Sequence, residues 1–212
     1  MRSTIHFRTL ALAGLIAFAT SANAQLASTF DSGLDGWTGA GGSVTFVAVG
    51  GSPGGFLQQT DTANSYMLVA APAALLGNLS AYVNGTLSFD AKNLSNSASD
   101  LNSPGPWFGT VKITGAASSV SGTLAGTSAG NPQPDGLWHT YSATLNTATW
   151  GGSLDAVLAN VTGISVQLEF NNTISETAGF DNFRVTAVPE PSMAAFLALG
   201  ISVLAFVRKR AA

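Results

Sequence analysis

The sequence predicts an all-β fold, a jelly-roll-like antiparallel β-sandwich, on three observations. Short runs of alternating apolar and polar residues recur from Ser28 to Ala187. Clusters of Gly and Pro separate them, and helical periodicity is scarce. Composition agrees: 24 glycines and only 9% charged residues suit many short strands joined by turns.

Val44 to Val49 is the first clear run, ended by the turn Gly50-Gly51-Ser52-Pro53-Gly54-Gly55. Further strands are predicted at Phe56–Gln59, Tyr66–Val69, Thr86–Asp90, Phe108–Ile113 and Val120–Leu124. Trp138–Leu145, Ile164–Phe170 and Phe180–Ala187 complete the set. In the run from 164 to 170, Ile164, Val166, Leu168 and Phe170 share one face, and Ser165, Gln167 and Glu169 share the polar one. Short helical turns are expected only at Ala73–Leu76 and Leu154–Ala159. The Ser/Asn stretch from Asn93 to Ser103 reads as a long polar loop within one domain.

Charge and cysteine usage narrow the function. Between residues 25 and 191 only Lys92, Lys112 and Arg184 are basic against all eleven acidic residues, a net charge of −8. Such a body repels nucleic acid and anionic membrane surfaces, and suits divalent cations or uncharged polymers. No cysteine is present, so neither disulfides nor thiolate metal sites are available.

The two ends read as addresses. Residues 1–24 form a secretory signal helix: Arg2, His6 and Arg8, then the apolar stretch Leu10–Phe18, then Ala22-Asn23-Ala24. Signal peptidase is expected to cut between Ala24 and Gln25. Residues 188–212 run from Val188-Pro189-Glu190-Pro191-Ser192 through the apolar helix Met193–Val207 to Arg208-Lys209-Arg210. The apolar run of 15 residues is shorter than a relaxed membrane span of about 20. Its basic end favours the cytoplasmic side. This order, with Pro189, Glu190 and Pro191 as signature, resembles the PEP-CTERM sorting tail of Gram-negative bacteria. The resemblance implies an exosortase as partner, membrane contact through the C-terminal helix before processing, and a place at the cell surface, outer envelope or extracellular matrix. An uncut tail would instead be a permanent inner-membrane anchor.

The body, residues 25–187, carries a second resemblance. Thr29-Phe30-Asp31-Ser32-Gly33-Leu34-Asp35-Gly36-Trp37 looks like the opening of secreted carbohydrate-binding-type jelly rolls. Gly54-Gly55-Phe56-Leu57, Tyr66 to Pro72, Leu76-Gly77 and Gly85-Thr86-Leu87-Ser88-Phe89-Asp90 resemble the laminin B (laminin IV type A) domain. Trp138–Leu145 and Phe180-Asp181-Asn182-Phe183 fit its later strands. The resemblance implies a structural matrix module without enzymatic chemistry.

Candidate sites are few. In jelly-roll binding modules a structural Ca2+ ties the first strand to the last; carried over by position, Asp181 and Asp31 or its neighbours would be the ligands. The competing reading is two aspartates at strand ends in solvent. Trp107, after Pro104-Gly105-Pro106, is placed to stack on a sugar ring or to pack, whereas Trp37, Trp138 and Trp150 read as packing residues. His139 reads as a half-exposed strand residue rather than a catalytic base. Glu169, on a polar strand face, and Glu176, in the following loop, are the glutamates available for a glycosidase pair. The expected function is that of an exported, non-enzymatic surface or matrix protein associated with exopolysaccharide and biofilm. A carbohydrate-binding module with a defined glycan is the runner-up, and a glycan-active enzyme the third reading.

Overall fold

Alternation in the sequence becomes two antiparallel sheets facing one another. The computed structural model describes residues 25–61, 66–95, 108–125, 131–132, 135–169 and 176–188. Residues 1–24, expected to form a signal, Trp107 and the Pro189-Glu190-Pro191 segment lie outside these residues. Eleven strands are described: β1 (Gln25–Ser28), β2 (Thr38–Ala40), β3 (Gly42–Val47), β4 (Phe56–Asp61), β5 (Leu68–Ala70), β6 (Thr86–Asn93), β7 (Thr110–Gly115), β8 (Ser119–Thr123), β9 (His139–Thr144), β10 (Val161–Gln167) and β11 (Thr177–Thr186). Two short helices, α1 (Thr147–Trp150) and α2 (Leu154–Leu158), and two 3-10 turns, Ala73–Leu75 and Ser80–Tyr82, join them. Among the described residues no helix is long and apolar enough to cross a membrane.

The six-stranded sheet has the order β3-β4-β11-β6-β9, with β1 paired to β11; the five-stranded sheet has the order β2-β5-β10-β7-β8. The chain passes from one sheet to the other at Gly41, between β2 and β3. Strand β11 organises its sheet. Its first half pairs with β4, its last four residues with β1, and nearly all of it with β6.

The apolar sides of both sheets meet in one core. Leu57, Leu87, Phe89, Tyr141, Phe180 and Phe183 come from the six-stranded sheet, and Val69, Val111, Ile113, Ile164 and Val166 from the other. Trp37 seals one region, with ring centroids 5.0 Å from both Phe180 and Phe183, while its Nε1 donates to Ser28 Oγ at 2.9 Å. Truncating a buried aromatic ring of this size to alanine costs roughly 3–5 kcal/mol. Leu154, Val157 and Leu158 of α2 and Trp150 of α1 are also buried in this core.

The interior also holds acids. Glu169 is fully buried, which corrects the expectation that it lies on a polar strand face: β10 ends at Gln167, and alternation stops there. Glu169 Oε2 accepts the Met67 backbone N–H at 3.0 Å, while the Leu168 N–H donates to the Met67 carbonyl. The carboxylate thus serves a backbone donor just before β5 begins. Asp61 and Glu176 are buried as well, and the Asp61 N–H donates to the Glu176 carbonyl at 2.8 Å. Burial pushes the Glu169 carboxyl above the usual carboxylate range; the Met67 N–H pulls it back, and the Asp61 charge raises it further.

A raised carboxyl pKa stabilises the fold below the unfolded value, about 4.3, and that contribution is lost as pH rises through the folded value. Glu169→Gln keeps an acceptor for Met67 and removes the charge. It is expected to raise the melting temperature at pH 7–8 by roughly 2–4 °C, the shift that about 1 kcal/mol produces in a domain of this size. It should also flatten the fall in melting temperature between about pH 4 and pH 8. Thermal melts across this range check it; a variant less stable than the parent at pH 8 would show that the ionised form is the one the fold holds.

Candidate functional site

The outward face of the six-stranded sheet carries the chemistry. Tyr141 points into the core, so Thr140, Ser142 and Thr144 of β9 face outward with the preceding Trp138. On β6 the outward set is Ser88, Asp90 and Lys92, and on β11 it includes Gly179, Asp181, Asn182 and Arg184.

Trp138 packs on the outward face of the sheet rather than in the core. It is only half-buried, and its indole reaches across β6 to lie over Gly179. A Cβ at Gly179 would stand 2.7 Å from Trp138 Cη2, so the ring rests where only glycine leaves room. The edge of Phe56 supports it at a centroid distance of 5.3 Å, and its Nε1 donates to the Gly50 carbonyl at 2.9 Å. Strand parity carries the signal that finds it: Trp138 shares even numbering with Thr140, Ser142 and Thr144. Trp37 and Trp150 are buried, as expected.

Next along this face is a polar pocket of about 280 Å³ lined by Ser52, Ser88, Asp90, Thr140, Asn182 and Arg184. Its groups hold one another. Thr140 Oγ1 donates to Asp90 Oδ1 at 2.6 Å, and Asn182 Nδ2 donates to Asp90 Oδ2 at 2.9 Å and to the Ser52 carbonyl. Arg184 donates to Asn182 Oδ1 at 3.2 Å. The pocket therefore presents hydroxyl, amide, carboxylate and guanidinium groups in a fixed arrangement.

Asp181 lies beneath this network, fully buried. Its two oxygens accept the backbone N–H groups of Ser52 and Asn182, each at 2.7 Å. Burial raises its carboxyl pKa most; these two N–H groups oppose the rise, and the charges of Asp90 and Asp31 add to it. Asp31 is exposed, accepts from Thr29 Oγ1 at 2.7 Å, and meets the same turn from the other side. A Cβ at Gly51 would stand 2.8 Å from Asp181 Oδ2, and one at Gly54 would stand 2.8 Å from Asp31 Oδ1. The two candidate metal ligands thus flank one glycine turn. Their donor set suits an oxygen-seeking cation in kind, since carboxylates and turn carbonyls are what such ions take. It is short in number: among the described residues no group of three His, Cys, Asp or Glu side chains is placed to hold a metal.

His139 is partly buried, with Nε2 2.6 Å from Asp135 Oδ1. That hydrogen bond holds the Asp135 carboxyl below the usual range. Glu169 and Glu176 are both buried in the interior and do not line the polar pocket.

No family model and no curated relative matches this chain. Solved structures resemble its fold. The L4b domain of human laminin α2 superposes with a TM-score of 0.56 at 7% identity, covering 78% of this chain and 98% of that one. The tandem of two carbohydrate-binding modules from Paenibacillus barcinonensis Xyn10C gives 0.50 at 16% identity, covering 82% of this chain and 48% of that one. An agarase gives 0.51 at 13% identity over 77% of this chain, which spans only 25% of the agarase. At these identities the likeness is one of fold: the chain is an antiparallel β-sandwich of the kind found in a laminin domain and in carbohydrate-binding modules.

Proposed function

We propose that this chain is an exported, non-enzymatic surface or matrix module that contacts polysaccharide through the outward face of its six-stranded sheet. The observation that carries this reading is Trp138, a half-buried indole lying over Gly179 beside a polar pocket that holds hydroxyl, amide, carboxylate and guanidinium groups. A flat ring offers a stacking surface for the apolar face of a pyranose, and neighbouring polar groups bond its hydroxyls. Carbohydrate-binding modules and a laminin domain among the structures of similar fold support the same reading. A hydrolase reading needs two carboxyls facing one cleft; Glu169 and Glu176 are instead enclosed in the sandwich. Trp107, outside the described residues, stands as a second stacking candidate from the sequence.

Trp138→Ala is expected to weaken binding to the cognate glycan by tenfold or more while the far-ultraviolet spectrum stays unchanged. Affinity electrophoresis against neutral and acidic polysaccharides, with Trp107→Ala run alongside, measures it. Undiminished binding by the Trp138 variant rejects the platform.

Calcium at Asp31 and Asp181 belongs to the same proposal, since a cation there would offset three neighbouring acids, Asp31, Asp90 and Asp181. Binding to the native state alone would raise the melting temperature, by the equivalent of about 2.7 kcal/mol at a hundredfold excess over the dissociation constant. Asp181→Asn should abolish the rise. Identical melts in calcium and in chelator would sink the idea.

Export rests on the two terminal addresses. Intact mass of the protein recovered from its native surface is expected to begin at Gln25 and end near Pro191. A species retaining Met193 to Ala212 would replace exosortase sorting with a permanent anchor.

A further inference from the structure

Sheet edges are usually exposed to strand addition, and both sheets of this sandwich have an edge on the same side. β9 closes the six-stranded sheet and β8 the five-stranded one. Asn131 clasps the two: its Nδ2 donates to the Leu124 carbonyl at 2.7 Å and to the Ser142 carbonyl at 3.1 Å. One step along, the Thr144 carbonyl accepts Trp150 Nε1 at 2.9 Å. Two carbonyls of β9, those of Ser142 and Thr144, are therefore already engaged by side chains, which shields this end of the edge from a further strand.

A cleft of about 520 Å³ remains beside the two clasps. Its volume falls within the range of small-molecule sites, roughly 300–1,000 Å³. Thr86, Thr123, Ser142, Thr144 and Thr149 line it, and among the described residues that line it none is charged. In a segment, residues 25 to 191, of net charge −8 this is a neutral surface. Thr149 is held in place because α1 is capped by Asn146, whose Oδ1 accepts the Thr149 N–H at 2.9 Å. A row of hydroxyls on rigid backbone, without charge, pairs with a ligand that is itself neutral and rich in hydroxyls.

We propose that this edge cleft is a second carbohydrate site, taking a neutral sugar unit of a polysaccharide. The proposal rests on the glycan reading above and extends it. Trp138 and Thr144 bracket β9, six residues apart, or about 20 Å along an extended strand. One module would then grip a polymer at two points, or hold two polymers together, as a matrix component must.

The experiment is a titration of the ¹⁵N-labelled full-length chain, in phosphocholine micelles, with neutral cellohexaose and xylohexaose, read by amide shifts. Shifts at Gly122, Thr123, Thr144 and Thr149 are expected in the parent and in Trp138→Ala. Ser142→Ala combined with Thr144→Val, both at the surface, should weaken them at least tenfold. Movement at Gly179 and Lys92 with a silent cleft would overturn this proposal and leave the Trp138 platform standing. Movement at the cleft alone would keep it and remove the platform. Cleft shifts unchanged in the double variant, or shifts nowhere, would overturn it.

Discussion

The structure turns on one irregularity in β11. Its pairing with β6 slips between Asp181 and Arg184, and Asn182 takes a positive φ of 49° there. In a regular strand Phe180 and Phe183, three residues apart, would face opposite sides of the sheet. The extra residue resets the alternation, so both rings enter the core and both meet Trp37. The same bulge turns Asp181 and Asn182 toward the outer face together. There they reach the Ser52 turn and Asp90, and the polar pocket forms around them. Core and candidate site are thus two faces of one backbone event.

Charge sets the second constraint. With three basic residues in the body, its acids cannot be balanced by lysine or arginine one for one. Asp181 and Glu169 are instead stabilised by backbone N–H groups, which lower the cost of burying an oxygen acceptor without supplying a full counter-charge. Burial outweighs these donors and raises both carboxyls above the ordinary range. At the Asp181 turn Asp31 and Asp90 add to the negative field, and this is the place where a cation would be most welcome. At Glu169 burial and the nearby Asp61 charge both disfavour the ionised form.

Strand positions were largely legible because a two-sheet core imposes a period of two on every strand that lines it. The runs at 86–90, 108–113, 120–124, 138–145 and 180–187 all overlap strands of the structure. β1 and β2 were not foreseen: four and three residues are too short to show a period, and they exist through pairing with β11 and β5. Parity also held the sign that Trp138 faces outward, although tryptophan's size argues for packing. Glu169 defeated the pattern, because alternation extends only as far as the ladder, and the strand ends two residues earlier.

By itself, then, the sequence determined the all-β class, most strand positions and the acidic balance of the body, since these depend on local alternation, turn chemistry and composition. The expectation of two terminal addresses rests on the sequence alone, since such signals are read as linear motifs and need no fold. Tertiary structure alone decided that Trp138 lies over Gly179, that Asp31 and Asp181 share a turn, and that β8 and β9 bound one cleft. Each of these joins residues distant in the chain, and only register between strands and the packing of two sheets set that proximity.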